Sequence, residues 1–459
     1  MKKIRAILVG FDGRTIDALA ENGIETLVQI GSTKPDGAHQ PVFIDHKHFA
    51  RYECEMARAE IDAETRQEAW KHAAGAFERC ADRYTHTRAM IGNFDDYELL
   101  FERALSQAAY VLDNWPCDAV IFVNFPHRCA TIALFALAKA RGIATPLCTQ
   151  SLFSNRFFIM SDWRDLGLFR SSRAGPVAAV ESGTPDTPPF YMNRVSGNFS
   201  KRKKAFFRFW EFYFRLLLLP LLTLLRNGTE RSTRLLDEMR NSLQLLNYRS
   251  PQKYVRTIET GDLPEQFVYF PMHMQPEMTT DVMGGHWANQ VMALRWIRDF
   301  VPAHIPLVIK ENPKQTGLRR SPLFWRIMTQ LPNVSFVEER ANSLHLIKQA
   351  MMTATITGTA GWEALRFGKP ALALGNVFWR SLPGAFHIDN HPQWSDIENF
   401  RFDRNAFQRG VDEMSRFTYP GVVDLAYSVM VDDFDMETNA ANVAASIAWH
   451  IFGDTPLPG

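Results

Sequence analysis

Residues 355–375 read TITGTAGWEALRFGKPALALG, and this stretch constrains the chain more than any other. The run at 352–356 predicts a strand, and the small residues Thr357, Gly358, Thr359, Ala360 and Gly361 predict a tight turn. A helix opens at once, carries Trp362, Glu363 and Leu365, and stops at Gly368-Lys369-Pro370. A second apolar strand follows at 371–374. The helix start bares backbone N–H groups at the positive end of its dipole, which suits a phosphate. Glu363, in the first turn, is placed to accept hydrogen bonds from sugar hydroxyls. The competing reading is a plain βαβ crossover whose glycines only make the turn tight.

The same alternation runs through both ends of the chain. In the first third, strands are predicted at 4–9, 26–30, 119–124 and 144–147, with helices at 15–22, 55–84, 97–114 and 131–141. From Gln266 a second series begins, with strands at 267–270, 307–310 and 334–337 and helices at 287–300, 322–330 and 343–350. Strands spaced by helices imply parallel sheets covered on both faces. Another helix is predicted at 231–247, and the tail, 405–452, reads as mostly helical. At 459 residues, two or three domains are expected. The expected division is an N-terminal domain at 1–170, a linker at 171–262, a C-terminal domain at 263–400 and C-terminal helices at 401–459.

Net charge is +1, which points to neither nucleic acid nor an acidic partner. The five cysteines (Cys54, Cys80, Cys117, Cys129, Cys148) are odd in number and form no CxxC pair, so they fit a reducing cytoplasm and give no zinc spacing. The opening Met1-Lys2-Lys3 leads into an apolar run that Gly10 soon ends, which reads as a first buried strand rather than a secretory signal. Inside the linker, Lys201-Arg202-Lys203-Lys204 precedes a very apolar, aromatic stretch at 206–225. Its uncharged part, 216–225, is shorter than the roughly 20 residues a bilayer needs. Two readings stay open: a helix lying on an anionic membrane surface, or a buried helix between domains.

Three polar clusters follow predicted strands of the second half, at the edge where α/β sheets bind ligands. The first is Pro271-Met272-His273-Met274-Gln275-Pro276-Glu277, a loop whose prolines fix the backbone while His, Gln and Glu project. The second is Lys310-Glu311-Asn312-Pro313, where a lysine can neutralise a phosphate or carboxylate. The third is the opening segment at 357–363. Each has a bland alternative: a solvated turn, a surface ion pair, a crossover.

FPMHMQPEMTTD, then VIKENP, then TITGTAGWEALRFGKPALALG resembles the signature block of the capsule and surface-polysaccharide synthesis proteins. Those include the retaining β-Kdo transferases. The resemblance covers 269–383, and more loosely 118–166. It implies a GT-B-like α/β fold: two Rossmann-like domains facing across a cleft, with a helical linker and C-terminal helices. It also implies a glycosyltransferase with a CMP-activated acidic sugar, typically CMP-Kdo, as donor substrate and no cofactor. A Lys-Glu-His-Pro motif faces the nucleotide phosphate in that family. Here Asn312 stands at the histidine position; it can donate a hydrogen bond but carries no positive charge.

The chemistry can be argued beside the resemblance. A sugar nucleotide leaves as an anion, so the site must stabilise negative charge. The amides of 359–361 and Lys310 can do this without a metal, and Asp433-Phe434-Asp435, the one Asp-x-Asp pair noted, reads as a solvated acidic turn far along the chain. Glu363 would hold the ribose, and His273, Gln275 and Glu277 would line the cleft. The first domain should supply a carboxylate as base or nucleophile. Asp162 is the main candidate, beside Arg156, which could pair with an acidic sugar; Asp45 and His127 are lesser ones. The expected partners are a nucleotide-sugar donor and a glycan or glycolipid acceptor, in the cytoplasm, with 201–225 as one route to peripheral membrane contact. A UDP-sugar or CMP-sialic acid donor, or a catalytically degenerate scaffold, are the alternatives.

Overall fold

The computed structural model describes residues 3–46, 49, 60–81, 93–178, 180, 255–315 and 320–453. The basic and apolar segment 201–225, the helix expected at 231–247 and most of the linker lie outside the described residues.

The first half runs β1 (Ile4–Val9), α1 (Gly13–Glu21), β2 (Ile24–Gly31), β3 (Val42–Asp45), α2 (Ala63–Ala81), α3 (Asp95–Asn114), β4 (Ala119–Val123), α4 (Cys129–Ala140), β5 (Leu147–Gln150) and β6 (Arg156–Met160). The second runs β7 (Thr257–Ile258), β8 (Val268–Pro271), α5 (Gln290–Phe300), β9 (Leu307–Lys310), α6 (Pro322–Met328), β10 (Val334–Val337), α7 (Ser343–Gln349), β11 (Met352–Thr355), α8 (Ala360–Arg366), β12 (Ala371–Ala373) and β13 (Ala385–His387). The tail adds α9 (Trp394–Asn399), α10 (Arg404–Ser415), β14 (Thr418–Pro420) and α11 (Met436–Phe452).

Two seven-stranded sheets result, in the orders β14-β6-β5-β4-β1-β2-β3 and β13-β12-β11-β8-β9-β10-β7. In the second, every pairing is parallel. In the first, β3, β2, β1, β4 and β5 are parallel and β6 is reversed. The reason is visible in the strands themselves. Ala6, Ile7, Leu8, Val120 and Ile121 are fully buried, as continuous apolar strands covered on both faces must be. Helix α4, CATIALFALAKA, is apolar on all sides and buried from Cys129 to Ala138, enclosed between the sheet and helices α2 and α3. The chain is thus two Rossmann-like halves, as the alternation predicted.

The halves pack directly on each other. Phe153 meets Trp362 edge-on with centroids 5.9 Å apart. Gly167, in the left-handed region, lies so close that a Cβ would meet the Val377 carbonyl oxygen at 2.2 Å. Arg79 Nε donates to the Asp281 carbonyl across the same junction at 2.8 Å.

The tail departs from the helical expectation. It crosses back to the first half, where β14 pairs antiparallel with β6 and α11 packs against α1. Tyr419, Val443, Ala444 and Ile447 are buried there beside Ile16 and Leu19. A three-residue strand has no periodicity of its own to read; its pairing with β6 decides it.

Candidate functional site at the switch point of the second sheet

Strand order in the second sheet reverses between β8 and β11: β9 and β10 follow on one side, β12 and β13 on the other. In open α/β sheets ligands bind beyond the carboxyl ends of strands at such a reversal. All three motif clusters meet on this edge. The His273 loop leaves β8, Lys310 ends the neighbouring β9, and the Thr357 turn leaves β11.

His273 ties the first cluster to the third. Its Nε2 accepts the Thr357 N–H at 3.2 Å and lies 3.1 Å from Thr355 Oγ1, which in turn accepts the Gly358 N–H at 2.9 Å. An accepting Nε2 puts the ring proton on Nδ1, which is buried without a hydrogen-bond partner. Burial, helped by the Arg320 charge, pushes the imidazole pKa down to about 3. His273, expected to line the cleft, is buried instead, and its accepting Nε2 positions the turn.

The second cluster is tied in by a residue the sequence reading passed over. Arg320 Nε and Nη2 meet Glu311 at 2.9 and 3.2 Å, and Nη2 also donates to the His273 carbonyl at 2.9 Å. Both side chains of this pair are buried, so Glu311 grips an arginine instead of facing a ligand. Gln275 is likewise internal. It donates to Asp281 Oδ1 at 3.0 Å and the Ala288 carbonyl at 2.8 Å, and accepts from Gln290 Nε2 at 2.7 Å. Asn312 Oδ1 accepts the Lys314 N–H at 2.9 Å, which closes a local turn.

Lys310, Glu277 and the Thr357 turn retain polar reach. Lys310 Nζ donates to Ser343 Oγ at 2.8 Å, and burial lowers its pKa. Glu277 is partly exposed and accepts from Thr279 Oγ1 at 2.5 Å. The Tyr427 phenol has its pKa raised by burial, then by Asp424 and Glu277, which places the Glu277 charge near the segment Leu425–Met430. That segment is fastened to the first half by Ser154 Oγ donating to the Met430 carbonyl at 2.5 Å. Thr357, Gly358, Thr359 and Ala360 are partly exposed, and Thr357 Oγ1 has no hydrogen-bond partner.

The glycines have packing reasons. A Cβ on Gly361 would fall 2.1 Å from the Trp379 ring, and one on Gly358 would fall 2.6 Å from Thr355 Oγ1. Helix α8 has only seven residues, so its dipole is a smaller resource than the sequence suggested. Glu363 is 3% exposed, which is no open acceptor for sugar hydroxyls.

On the first half Asp162 and Arg156, expected side by side, do not come together. Strand β6 runs antiparallel to β5, so Arg156, opposite the end of β5, and Asp162, beyond its start, lie at opposite edges of the sheet. Asp162 binds Lys139 at 2.8 Å and Arg164 at 3.2 Å, and caps a short turn by accepting the Arg164 N–H at 2.9 Å. Its carboxylate is thus held by two cations within its own half. Asp433 and Asp435 stand on the exposed surface, where Asp435 caps α11 by accepting the Thr438 N–H at 2.7 Å.

His127 fares differently. The first sheet has its own reversal, between β1 and β4, and a cavity of about 470 Å³ opens there. The loop Gly10-Phe11-Asp12-Gly13-Arg14, the loop 31–36, His46, His127 and Arg128 line it. His127 Nδ1 lies 2.8 Å from the Phe125 carbonyl oxygen. Sequence reading took Gly10 to Gly13 only as the end of a strand. Its signal, a glycine turn between a buried strand and a helix, is the one used at 355–361.

Two Rossmann-like halves, each with a polar edge at a strand-order reversal, make an architecture of the GT-B type. Within it, residues 274–419 match the family described as capsule polysaccharide biosynthesis protein, so the resemblance carried by the motif block holds over this span. Similar solved structures include the β-Kdo 2,7 transferase of Thermosulfurimonas dismutans KpsC, at 10% identity and TM-score 0.31, over 77% of this chain and 90% of that one. The β-Kdo 2,4 transferase of the same KpsC gives 12%, TM-score 0.29, 66% and 81%. The UDP-GlcNAc 2-epimerase of Methanocaldococcus jannaschii gives 12%, TM-score 0.26, 90% and 98%. Comparison with curated proteins found no match. Among the described residues no helix is long and apolar enough to cross a membrane.

Proposed function

We propose that this chain is a glycosyltransferase that moves a Kdo-like acidic sugar from a CMP-activated donor to a surface polysaccharide or lipid-linked glycan, without a metal. One observation carries the reading. Three motifs far apart in sequence converge on one sheet reversal, and nearly all of that motif block falls in the span matching the capsule polysaccharide biosynthesis family.

Lys310 and the polar atoms of the Thr357 turn take the phosphate. A nucleoside monophosphate carries less charge than a diphosphate, so one ammonium and a few N–H donors go further against it. The bond from the anomeric carbon to the phosphate oxygen breaks, with its electron pair leaving on CMP. The acceptor hydroxyl oxygen bonds to the sugar and gives up its proton to a carboxylate. Glu277, a partly exposed carboxylate of the first motif, is assigned that role. Peripheral contact of 201–225 with an anionic membrane belongs to the same proposal. Replacing Lys201, Arg202, Lys203 and Lys204 with Gln should then weaken flotation with anionic vesicles.

The test is competitive titration of CMP and UDP. Tighter CMP binding supports the donor assignment, and preferential UDP binding removes it. One observation favours a scaffold without activity: Asn312, with no positive charge to offer, stands at the family's histidine position and uses its Oδ1 to close a local turn. If Glu277→Ala leaves glycan output unchanged, the scaffold reading stands.

A further inference from the structure

Lys310 reaches the switch-point edge from beneath a helical cover, and a residue of that cover holds it. Strands β8 and β9 pair Tyr269 with Val308 and Pro271 with Lys310. Side chains alternate along a strand, so Tyr269, Val308 and Lys310 share one face of the sheet. Tyr269 and Val308 are buried in one core cluster with Leu346 and Ile347 of α7 and Ala364 and Leu365 of α8, so these two helices cover that face. Lys310 is partly buried by the same cover. Its Nζ donates to Ser343 Oγ at 2.8 Å, the one hydrogen bond it makes among the described residues. Ser343 opens α7, and its own place is fixed: Asn342 Oδ1 accepts the Leu344 and His345 N–H groups at 2.9 and 3.3 Å. The amides of that turn are therefore spent, and Ser343 faces the lysine with its side chain.

We infer that Ser343 is a positioning residue for anion binding, holding the Lys310 ammonium at the end of β9 with its other N–H donors left for a phosphate. A lysine has a long, flexible stem, and docking a free one on a ligand costs rotamer entropy. A lysine already held by a fixed hydroxyl has lost that freedom before the ligand arrives, so more of its charge-assisted hydrogen bond appears as affinity. Asn312 brings no charge and Arg320 is spent on Glu311, so little else on this edge makes up for a misplaced Lys310. The inference rests on the reading that Lys310 takes the phosphate, and names the residue through which it does so.

The experiment is calorimetric titration of the full-length protein with CMP and cytidine, and with UMP and uridine. The ratio of nucleotide to nucleoside affinity isolates the phosphate. Ser343→Ala should cut that ratio roughly tenfold with nucleoside affinity unchanged, and Ser343→Thr should restore it. In a Lys310→Ala background, Ser343→Ala should have no further effect, because the hydroxyl acts through the lysine. Tyr269→Phe removes a buried hydroxyl without a hydrogen-bond partner from the same face, and should leave the ratio unchanged. An unchanged or larger ratio in Ser343→Ala, an equal loss of nucleotide and nucleoside, a loss that adds to that of Lys310→Ala, or an equal loss in Tyr269→Phe overturns the inference. No effect of Lys310→Ala on the ratio overturns it together with the phosphate assignment. Preference for UMP over CMP would count against the CMP donor alone and leave the Ser343 result standing.

Discussion

His273 Nε2 accepts the backbone N–H of Thr357 at 3.2 Å, joining two motifs that lie 84 residues apart. The bond fixes the β8 loop against the β11 turn and leaves Nδ1 protonated, buried and unpaired. His273→Ala removes the acceptor and orphans the Thr357 N–H. It should cost about 1–3 kcal/mol in urea unfolding and weaken nucleotide binding through the turn.

The same ring makes stability depend on pH. Burial holds His273 near a pKa of about 3 and, with help from Arg173, His450 near about 4, against 6.5 when exposed. Between those values and 6.5 the unfolded chain binds more protons than the folded one, so stability rises with pH. The melting temperature should therefore fall as pH drops from 7.5 to about 5, and His450→Gln should flatten part of that fall.

Arg320 and Glu311 form a fully buried pair that also holds the His273 carbonyl. Arg320→Met removes the counter-charge of a buried carboxylate and should cost about 3–5 kcal/mol by chemical denaturation. The double variant with Glu311→Leu should recover much of it, since an apolar pair carries no such penalty.

Gly361→Ala tests why the signature glycine is there. Its Cβ would lie 2.1 Å from the Trp379 ring, so overpacking of about 1–3 kcal/mol is expected in thermal unfolding. Trp379→Leu in the same chain should remove the clash. A glycine reserved for ligand approach would instead lose nucleotide binding with stability intact.

Lys310→Ala should lower CMP affinity roughly tenfold to a hundredfold, the worth of a hydrogen bond to a charged group. Asp162→Asn, by contrast, should leave CMP affinity unchanged and cost only stability, because its partners are Lys139 and Arg164.

The alternation of apolar runs and helices, with glycines between, was enough to place most strands of the second half within a residue or two and to name the edge where its motifs gather. Strand β9 and strand β10 came out at their observed bounds, because a buried parallel strand is a continuous apolar run. The roles of the motif residues were less legible. Glu311, Gln275, Gln290, Gln315 and Arg320 are polar residues whose identity suggests a ligand, yet their hydrogen bonds are spent on one another. Nothing in spacing says whether a buried polar group will find its partner inside the protein.

Local sequence, then, determined the two α/β halves and the positions of their turns, since hydrophobic period and glycine act over a few residues. Tertiary structure alone decided three things. It carried the tail back onto the first sheet, it set Asp162 and Arg156 at opposite edges by reversing β6, and it opened a cationic cavity where β1 meets β4. Each depends on which strands become neighbours, and strand order is settled by burial between segments distant in the chain, where no local pattern reaches.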